Sequence, residues 1–254
     1  MTIEYVALTQ GGKNRRKNED RLLINNKIMA EGICFGKFEE SCLAVICDGV
    51  GGEEGGDIAS QIAVETFCEC NTEALSASLI IETFLKANQQ ICKIQKEIPK
   101  YKKMATTIAG LAICKKEIIS FNVGDTRIYQ RNNLKGIEQL SVDHTVANEK
   151  YLSHQIATIN DASASDFSTL TKYLGGYGRF ARAYIKIRHI TNEDLFMLCS
   201  DGIYKAIPRK QLYNILRADT SLEEKQKAIY TQAQRKGLDD MSMIILTHSR
   251  YLSD

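Results

Sequence analysis

Tryptophan is absent from this 254-residue chain, proline occurs only twice (Pro99 and Pro208) and histidine four times. No stretch rich in Gly, Ser and Pro and no block of like charge divides the chain, so one domain over 1–254 is the expectation. No solenoid-length repeat or low-complexity tract is present. Charge of one sign is also missing. The 33 basic and 31 acidic residues leave a net +2, which gives a nucleic-acid or polyanion partner no basic surface. The longest apolar runs span about five residues, far short of a membrane helix. The start, Met1-Thr2-Ile3-Glu4, lacks the basic and apolar regions of a signal peptide, so a cytoplasmic protein that does not bind membranes is expected. The eight cysteines at 34, 42, 47, 68, 70, 92, 114 and 199 form no C-x-x-C, and the histidines form no H-E-x-x-H. They read as reduced, structural thiols, with Cys47, Cys114 and Cys199 inside apolar runs.

Against these absences stands one repeated feature. The run Leu43-Ala44-Val45-Ile46-Cys47 ends in Asp48-Gly49, and Leu195-Phe196-Met197-Leu198-Cys199 ends in Ser200-Asp201-Gly202. A buried strand closing on Asp-Gly sets a carboxylate at the rim of a sheet, beside a glycine that permits close approach. Two such ends suggest a metal site gathered from distant parts of the chain.

Around them the periodicity is legible. Ile58, Ala59, Ile62, Ala63 and Phe67 recur at helical spacing after the glycine cluster 49–56, and 78–98 reads as a long amphipathic helix stopped by Pro99. Short strands are expected at 106–114, 117–123, 126–131 and 136–141, with Lys115-Lys116 and Asn132-Asn133 as hairpin connections. A half-exposed strand over 182–188, a buried one over 195–199, helices near 209–218 and 222–236, and a last strand, Met241–Thr247, complete the pattern. Paired helices between groups of sequential strands indicate an α+β fold: a four-layer α/β/β/α sandwich of two mostly antiparallel sheets flanked by helices.

Five acidic clusters fall in this frame: Arg15-Arg16-Lys17-Asn18-Glu19-Asp20, Asp48-Gly49, Gly124-Asp125-Thr126-Arg127, Ser200-Asp201-Gly202 and Asp239-Asp240. Four of them adjoin a strand end, so they can converge on one edge. Carboxylates and a glycine carbonyl, without His or Cys, make a hard oxygen site for Mg²⁺ or Mn²⁺. Two such ions lower the pKa of a shared water and yield a hydroxide for in-line attack. An arginine beside them would clamp a phosphate, and 15–17 is placed to supply it. Taken singly, each cluster is equally an ordinary turn or solvated loop.

In this order the clusters resemble type 2C protein phosphatases, metal-dependent serine/threonine phosphatases. The motifs are R-x-x-N-E-D at 15–20, D-G-x-G-G at 48–52, T-T at 106–107 and V-G-D-T-R-x-Y at 123–129. D-H-T at 143–145, L-T-K-x-L-G at 170–175, S-D-G at 200–202 and D-D-M-S at 239–242 follow, so the likeness spans about 4–248. The resemblance implies hydrolysis of phosphoserine and phosphothreonine on proteins, with two divalent ions, Mn²⁺ or Mg²⁺, and a weaker third. It gives Asp48 as the bridging ligand, with the Gly49 carbonyl and Asp20 or its neighbour Glu19 at one ion. Asp201 and Asp239 complete the other shell, so that Asp48, Asp201 and Asp239 are the catalytic set. Arg15, or Arg16 beside it, would bind the phosphate, Asp125 with Asp201 would hold the third ion, and 144–170 would be a flap. Implied partners are phosphoproteins of a cognate serine/threonine kinase, met as a monomer.

Three departures follow from the same comparison. Val50 replaces the histidine of animal members and points to the bacterial branch, where methionine is usual. The leaving group must then take its proton from metal-bound water or another group; His144 is a candidate, though a lone loop histidine is more often structural. Asp240 stands where Asn is usual, and the flap lacks common basic and proline residues. The stretch Gly175-Gly176-Tyr177-Gly178 has no P-loop lysine and reads as a turn. Three alternatives remain: a phosphoprotein-binding module without turnover, a structural divalent-ion site, and a metallohydrolase of small phosphate esters. The absence of tryptophan and of an evident aromatic cluster near the motifs speaks against the last.

Overall fold

A computed structural model describes residues 2–13, 15, 17–50, 55–114, 117–132, 136–176, 182–189 and 194–249. Arg16, Gly51-Gly52, Lys115-Lys116, Asn133 and Tyr177-Gly178 therefore lie outside the described residues. The strands and helices are β1 (Thr2–Gln10), β2 (Arg21–Ile24), β3 (Lys27–Met29), β4 (Gly32–Glu39), β5 (Ser41–Cys47), β6 (Gly49–Val50), α1 (Gly56–Cys68), α2 (Ala77–Glu97), β7 (Ala105–Thr106), β8 (Ile108–Cys114) and β9 (Glu117–Val123). They continue as β10 (Arg127–Asn132), β11 (Gly136–Gln139), α3 (Val146–Leu152), α4 (Ala164–Ser168), β12 (Tyr184–His189), β13 (Leu195–Cys199), α5 (Asp201–Tyr204), α6 (Arg209–Arg217), α7 (Leu222–Lys236) and β14 (Met241–Ser249).

Two six-stranded sheets form, in the orders β11-β10-β13-β14-β1-β4 and β12-β9-β8-β5-β2-β3, and every ladder in them is antiparallel. The alternation of side chains divides each central strand between two interiors. In β5, Cys42, Ala44 and Ile46 face the other sheet, while Leu43, Val45 and Cys47 face Ala63, Phe67 and Phe84 of α1 and α2. In β14, Ile244 and Leu246 join the inter-sheet core, while Met243 and Ile245 meet Leu212, Leu216, Ile229 and Ala233 of α6 and α7. Antiparallel strands here read as unbroken apolar runs because both faces are covered. The four-layer expectation is met, with helices outside each sheet.

The helix ends follow local chemistry. Ser76 caps α2 by accepting a hydrogen bond from the Leu79 N–H at 3.2 Å. Ser221 and Glu224 form a reciprocal capping box on α7, which Gly237 closes in a left-handed turn at φ 45°. The expected 136–141 strand stops at Gln139, since Ser141 turns its hydroxyl to accept the Ile128 N–H at 3.0 Å. The segment 144–170 carries two short helices, α3 and α4, the first capped by Thr145. All eight cysteines are free thiols. No helix among the described residues is long and apolar enough to cross a membrane.

Candidate active site

The ladder registers carry the acidic segments to one edge. Gln10 at the end of β1 pairs with Met241 at the start of β14, and Cys199 at the end of β13 with Arg127 at the start of β10. In the other sheet, Cys47 pairs with Arg21 and Val123 with Ile108. Segments 11–20, 48–50, 124–126, 200–202 and 239–240 thus leave both sheets on the same side. Bonds across the sheets tie them together: the Ser200 hydroxyl donates to Asp20 Oδ2 at 2.8 Å, and the Glu19 N–H to Asp240 Oδ2 at 2.8 Å.

Asp48 is held through its backbone. Its carbonyl accepts from the Thr107 N–H at 2.8 Å and the Thr106 hydroxyl at 2.9 Å, which gives the T-T pair its role. The next turn is tight. A Cβ on Gly49 would lie 2.4 Å from the Gly56 carbonyl, and one on Gly202 would lie 2.1 Å from the Asp240 carbonyl oxygen. Both Asp-Gly glycines are therefore required by backbone packing, apart from any need of a ligand.

Burial, and then the charges of Asp20, Asp201, Asp125 and Asp239, push the Asp48 carboxyl well above the usual range. Asp20 is fully buried, and its Oδ1 has no hydrogen-bond partner. Burial foremost drives its pKa up to about 8. Asp125 is raised to about 6 by burial and by Asp201, although Lys205 pulls the other way. Among the described residues no three acidic, His or Cys side chains converge on one point as metal ligands do. Arg15 meets Asp239 and Lys205 meets Asp201, whereas burial and acidic neighbours raise the Asp20 and Asp48 carboxyls. Such a set, all hard oxygen and including an orphaned buried oxygen, fits divalent cations of the Mg²⁺ and Mn²⁺ type.

Arg15 leans on this set. Its Nε and Nη2 donate to Asp239 Oδ1 at 3.1 and 2.5 Å, and its Nη1 lies 3.5 Å from Glu19 Oε2. Asp240 is a clasp: its two oxygens accept the N–H groups of Gly12 at 2.9 Å and Glu19 at 2.8 Å. Both of its oxygens are thus used as acceptors, which an Asn, with one oxygen, could not match. His144 accepts the Gly124 N–H on Nδ1 at 3.1 Å, and burial lowers its pKa to about 4. It is a neutral brace for the Asp125 turn, as the structural reading has it.

Several residues beside the site were not singled out from sequence. Arg127 makes a fork on Asp143, with contacts of 3.0 and 2.6 Å to Oδ2, and lies 3.6 Å over the Tyr204 ring. Tyr204 donates to Asp125 Oδ2 at 2.9 Å, and the Lys205 ammonium contacts Asp201 Oδ2 at 2.6 Å. A cavity of about 390 Å³ lies under the flap, lined among others by Phe167 of α4, Tyr204 and Lys205. Aromatics do stand next to the site, contrary to the sequence expectation, because Phe167 and Tyr204 reach it from separate helices. Arg127 covers one face of the Tyr204 ring.

Residues 33–240 match the family described as Protein phosphatase 2C. The chain belongs to that family. A curated relative, the serine/threonine phosphatase Stp of Listeria welshimeri, is 28% identical over 249 residues, covering 94% of this chain and 92% of the relative. The solved serine/threonine phosphatase of S. agalactiae superposes with a TM-score of 0.82 at 23% identity, covering 97% of this chain and all (100%) of that one. The catalytic domain of the phosphatase PstP, solved in complex with two manganese ions, gives 0.78 at 18% identity, covering 97% and 99%. The resemblance read from the motifs thus holds along the chain, and the fold class with it. The protein is a metal-dependent serine/threonine phosphatase of bacterial type.

The raised carboxylates set a pH dependence. Asp20 keeps its proton in the folded protein up to about pH 8 but loses it near the ordinary 3.8 when unfolded. A raised carboxyl pKa therefore costs stability as pH climbs from the lower value to the higher. Between pH 7 and 8, where His144 is largely neutral in both states and Asp20 goes from mostly protonated to half ionised, metal-free protein should lose about 1 kcal/mol. Melting curves in chelator should show a midpoint lower by roughly 3 °C at pH 8 than at pH 7, and Mn²⁺ should abolish the difference. A flat profile in chelator would contradict the electrostatics of the cluster.

Proposed function

We propose that this chain removes phosphate from phosphoserine and phosphothreonine of proteins with two divalent cations, Mn²⁺ or Mg²⁺. Asp48 would bridge them, with the Gly49 carbonyl and Asp20 or Glu19 on one side and Asp201 and Asp239 on the other. The observation that carries this reading is the convergence of segments 11–20, 48–50, 124–126, 200–202 and 239–240 on one edge, which sets Asp48 in the field of Asp20, Asp201, Asp125 and Asp239. Bound there, the cations supply charge neutralisation and a water of lowered pKa for in-line displacement.

The chain's own residues do the rest. Arg15, held on Asp239 here, would turn its fork of donors to two oxygens of the phosphate once that carboxylate is otherwise engaged. Water oxygen bonds to phosphorus, the bond from phosphorus to the serine or threonine oxygen breaks, and that oxygen takes a proton. Val50 has none to give, and His144, neutral and bonded to Gly124, is a brace, so the proton comes from solvent at the edge. The cavity beside α4 takes the flank of the substrate segment, with Phe167 as its apolar wall. Catalysis is proposed to reside in one domain over 1–254, working as a cytoplasmic monomer on the phosphoproteins of a serine/threonine kinase.

Hydrolysis of para-nitrophenyl phosphate and of a phosphothreonine peptide should require Mn²⁺ or Mg²⁺ and stop in chelator. Arg15→Ala should raise KM by about tenfold or more, the worth of a charged hydrogen bond, with a smaller effect on kcat. Turnover indifferent to chelator would sink the proposal; metal binding without any turnover would favour a phosphoprotein-binding module.

A further inference from the structure

The third cation implied by the family resemblance would rest on Asp125 and Asp201, and here those two carboxylates already share a positive charge. Lys205 follows α5 and returns its backbone N–H to the Asp201 carbonyl at 2.9 Å, so that its side chain lies over Asp201, four residues back. Its ammonium is 2.6 Å from Asp201 Oδ2 and 3.7 Å from Asp125 Oδ2. The same Asp125 oxygen accepts the Tyr204 hydroxyl at 2.9 Å. Asp125 is therefore supplied with one hydroxyl donor and one cation, both from the turn that follows the S-D-G motif. The Lys205 side chain is 40% exposed, while those of Asp201 and Asp125 are 18% and 6% exposed, so the ammonium closes the solvent side of the pair.

We infer that Lys205 is a resident cation taking the place of the third metal ion, which makes this phosphatase an obligate two-metal protein. A divalent ion on the Oδ2 atoms of Asp125 and Asp201 would have to displace Nζ and the Tyr204 hydroxyl, and one held by their other oxygens would sit within a few ångströms of a fixed ammonium of like charge. A fixed ammonium also differs from an exchangeable ion in that its contribution does not depend on the metal concentration. Lys205 is thus a positioning residue for Asp125 and Asp201.

This inference rests on the metal centre proposed above, and the experiment separates the two. Mn²⁺ would be titrated by calorimetry into chelator-stripped wild type, Lys205→Met and Lys205→Arg, with bound metal counted by native mass spectrometry. Wild type should hold two ions, Lys205→Met three, and Lys205→Arg, which keeps the charge, two. The third ion of Lys205→Met should vanish in the double variant with Asp125→Asn. Circular dichroism establishes that each variant is folded, and Lys205→Arg reads the same site without removing the charge. Three ions in wild type, or two in folded Lys205→Met, would overturn the role of Lys205 alone. No bound Mn²⁺ in wild type would overturn the metal centre itself, and the role of Lys205 with it.

Discussion

Asp48→Asn should leave a folded protein whose turnover falls by roughly 10³-fold or more, since a preorganised charge at the reacting centre is lost. The substitution should also raise the melting temperature of the metal-free protein. Asp48 is half-buried in the field of Asp20, Asp201, Asp125 and Asp239, and its charge is a burden until a cation meets it. An amide of the same shape removes the repulsion and keeps the backbone bonds to Thr106 and Thr107, which involve only main-chain atoms of Asp48. The pair of effects is diagnostic, because a residue retained for stability would show the opposite sign in the melt. Phosphopeptide hydrolysis and melting curves in chelator measure both. Retained turnover would remove Asp48 from the catalytic set.

Gly202→Ala should have the largest effect on the fold of any single methyl addition near the site. The new carbon would lie 2.1 Å from the Asp240 carbonyl oxygen and 3.0 Å from its carbon, and neither belongs to a side chain that can swing aside. The backbone must move. Overpacking of this kind costs about 3 kcal/mol, or roughly 10 °C in melting temperature for a protein of this size. The displacement falls on Asp239 and Asp240, so Mn²⁺ affinity should drop along with stability. A melting point within a degree or two of wild type, by calorimetry, would show that the turn is more pliant than its packing indicates.

Much of this site could be read before any coordinates. A five-residue apolar run ending in Asp-Gly leaves little choice but a buried strand with a carboxylate at its rim, and Asp48 and Asp201 were found on that ground. What one dimension cannot carry is the pairing of distant segments. Asp240 accepts the N–H groups of Gly12 and Glu19, and those donors are more than two hundred residues away in sequence. Lys205 and Tyr204 had a local signal, their place one turn past Asp201, but it has meaning only if the S-D-G motif opens a helix, as it does. The aromatic wall was missed because Phe167 and Tyr204 come from α4 and α5, and neither segment is aromatic-rich. The four N-terminal strands gave no expectation of their own. β2 and β3 are four and three residues long, and β4 is an edge strand with Ile33 and Phe35 facing outward, so the usual period is short or inverted.

The pairing of β1 with β14 has a consequence for biosynthesis. The edge that gathers the carboxylates draws on segments more than two hundred residues apart: Arg15, Glu19 and Asp20 from the connection after β1, Asp239 and Asp240 from the approach to β14. While the polypeptide is being made, the early segment must wait until β14 has been synthesised. Until β14 slots between β1 and β13, Arg15 has no Asp239 and the loop 11–20 has no Asp240 to clasp it. A chain cut before Asp239 cannot assemble the centre, however much of its other sheet has folded. Phosphatase activity in this sense reports that synthesis has passed β14.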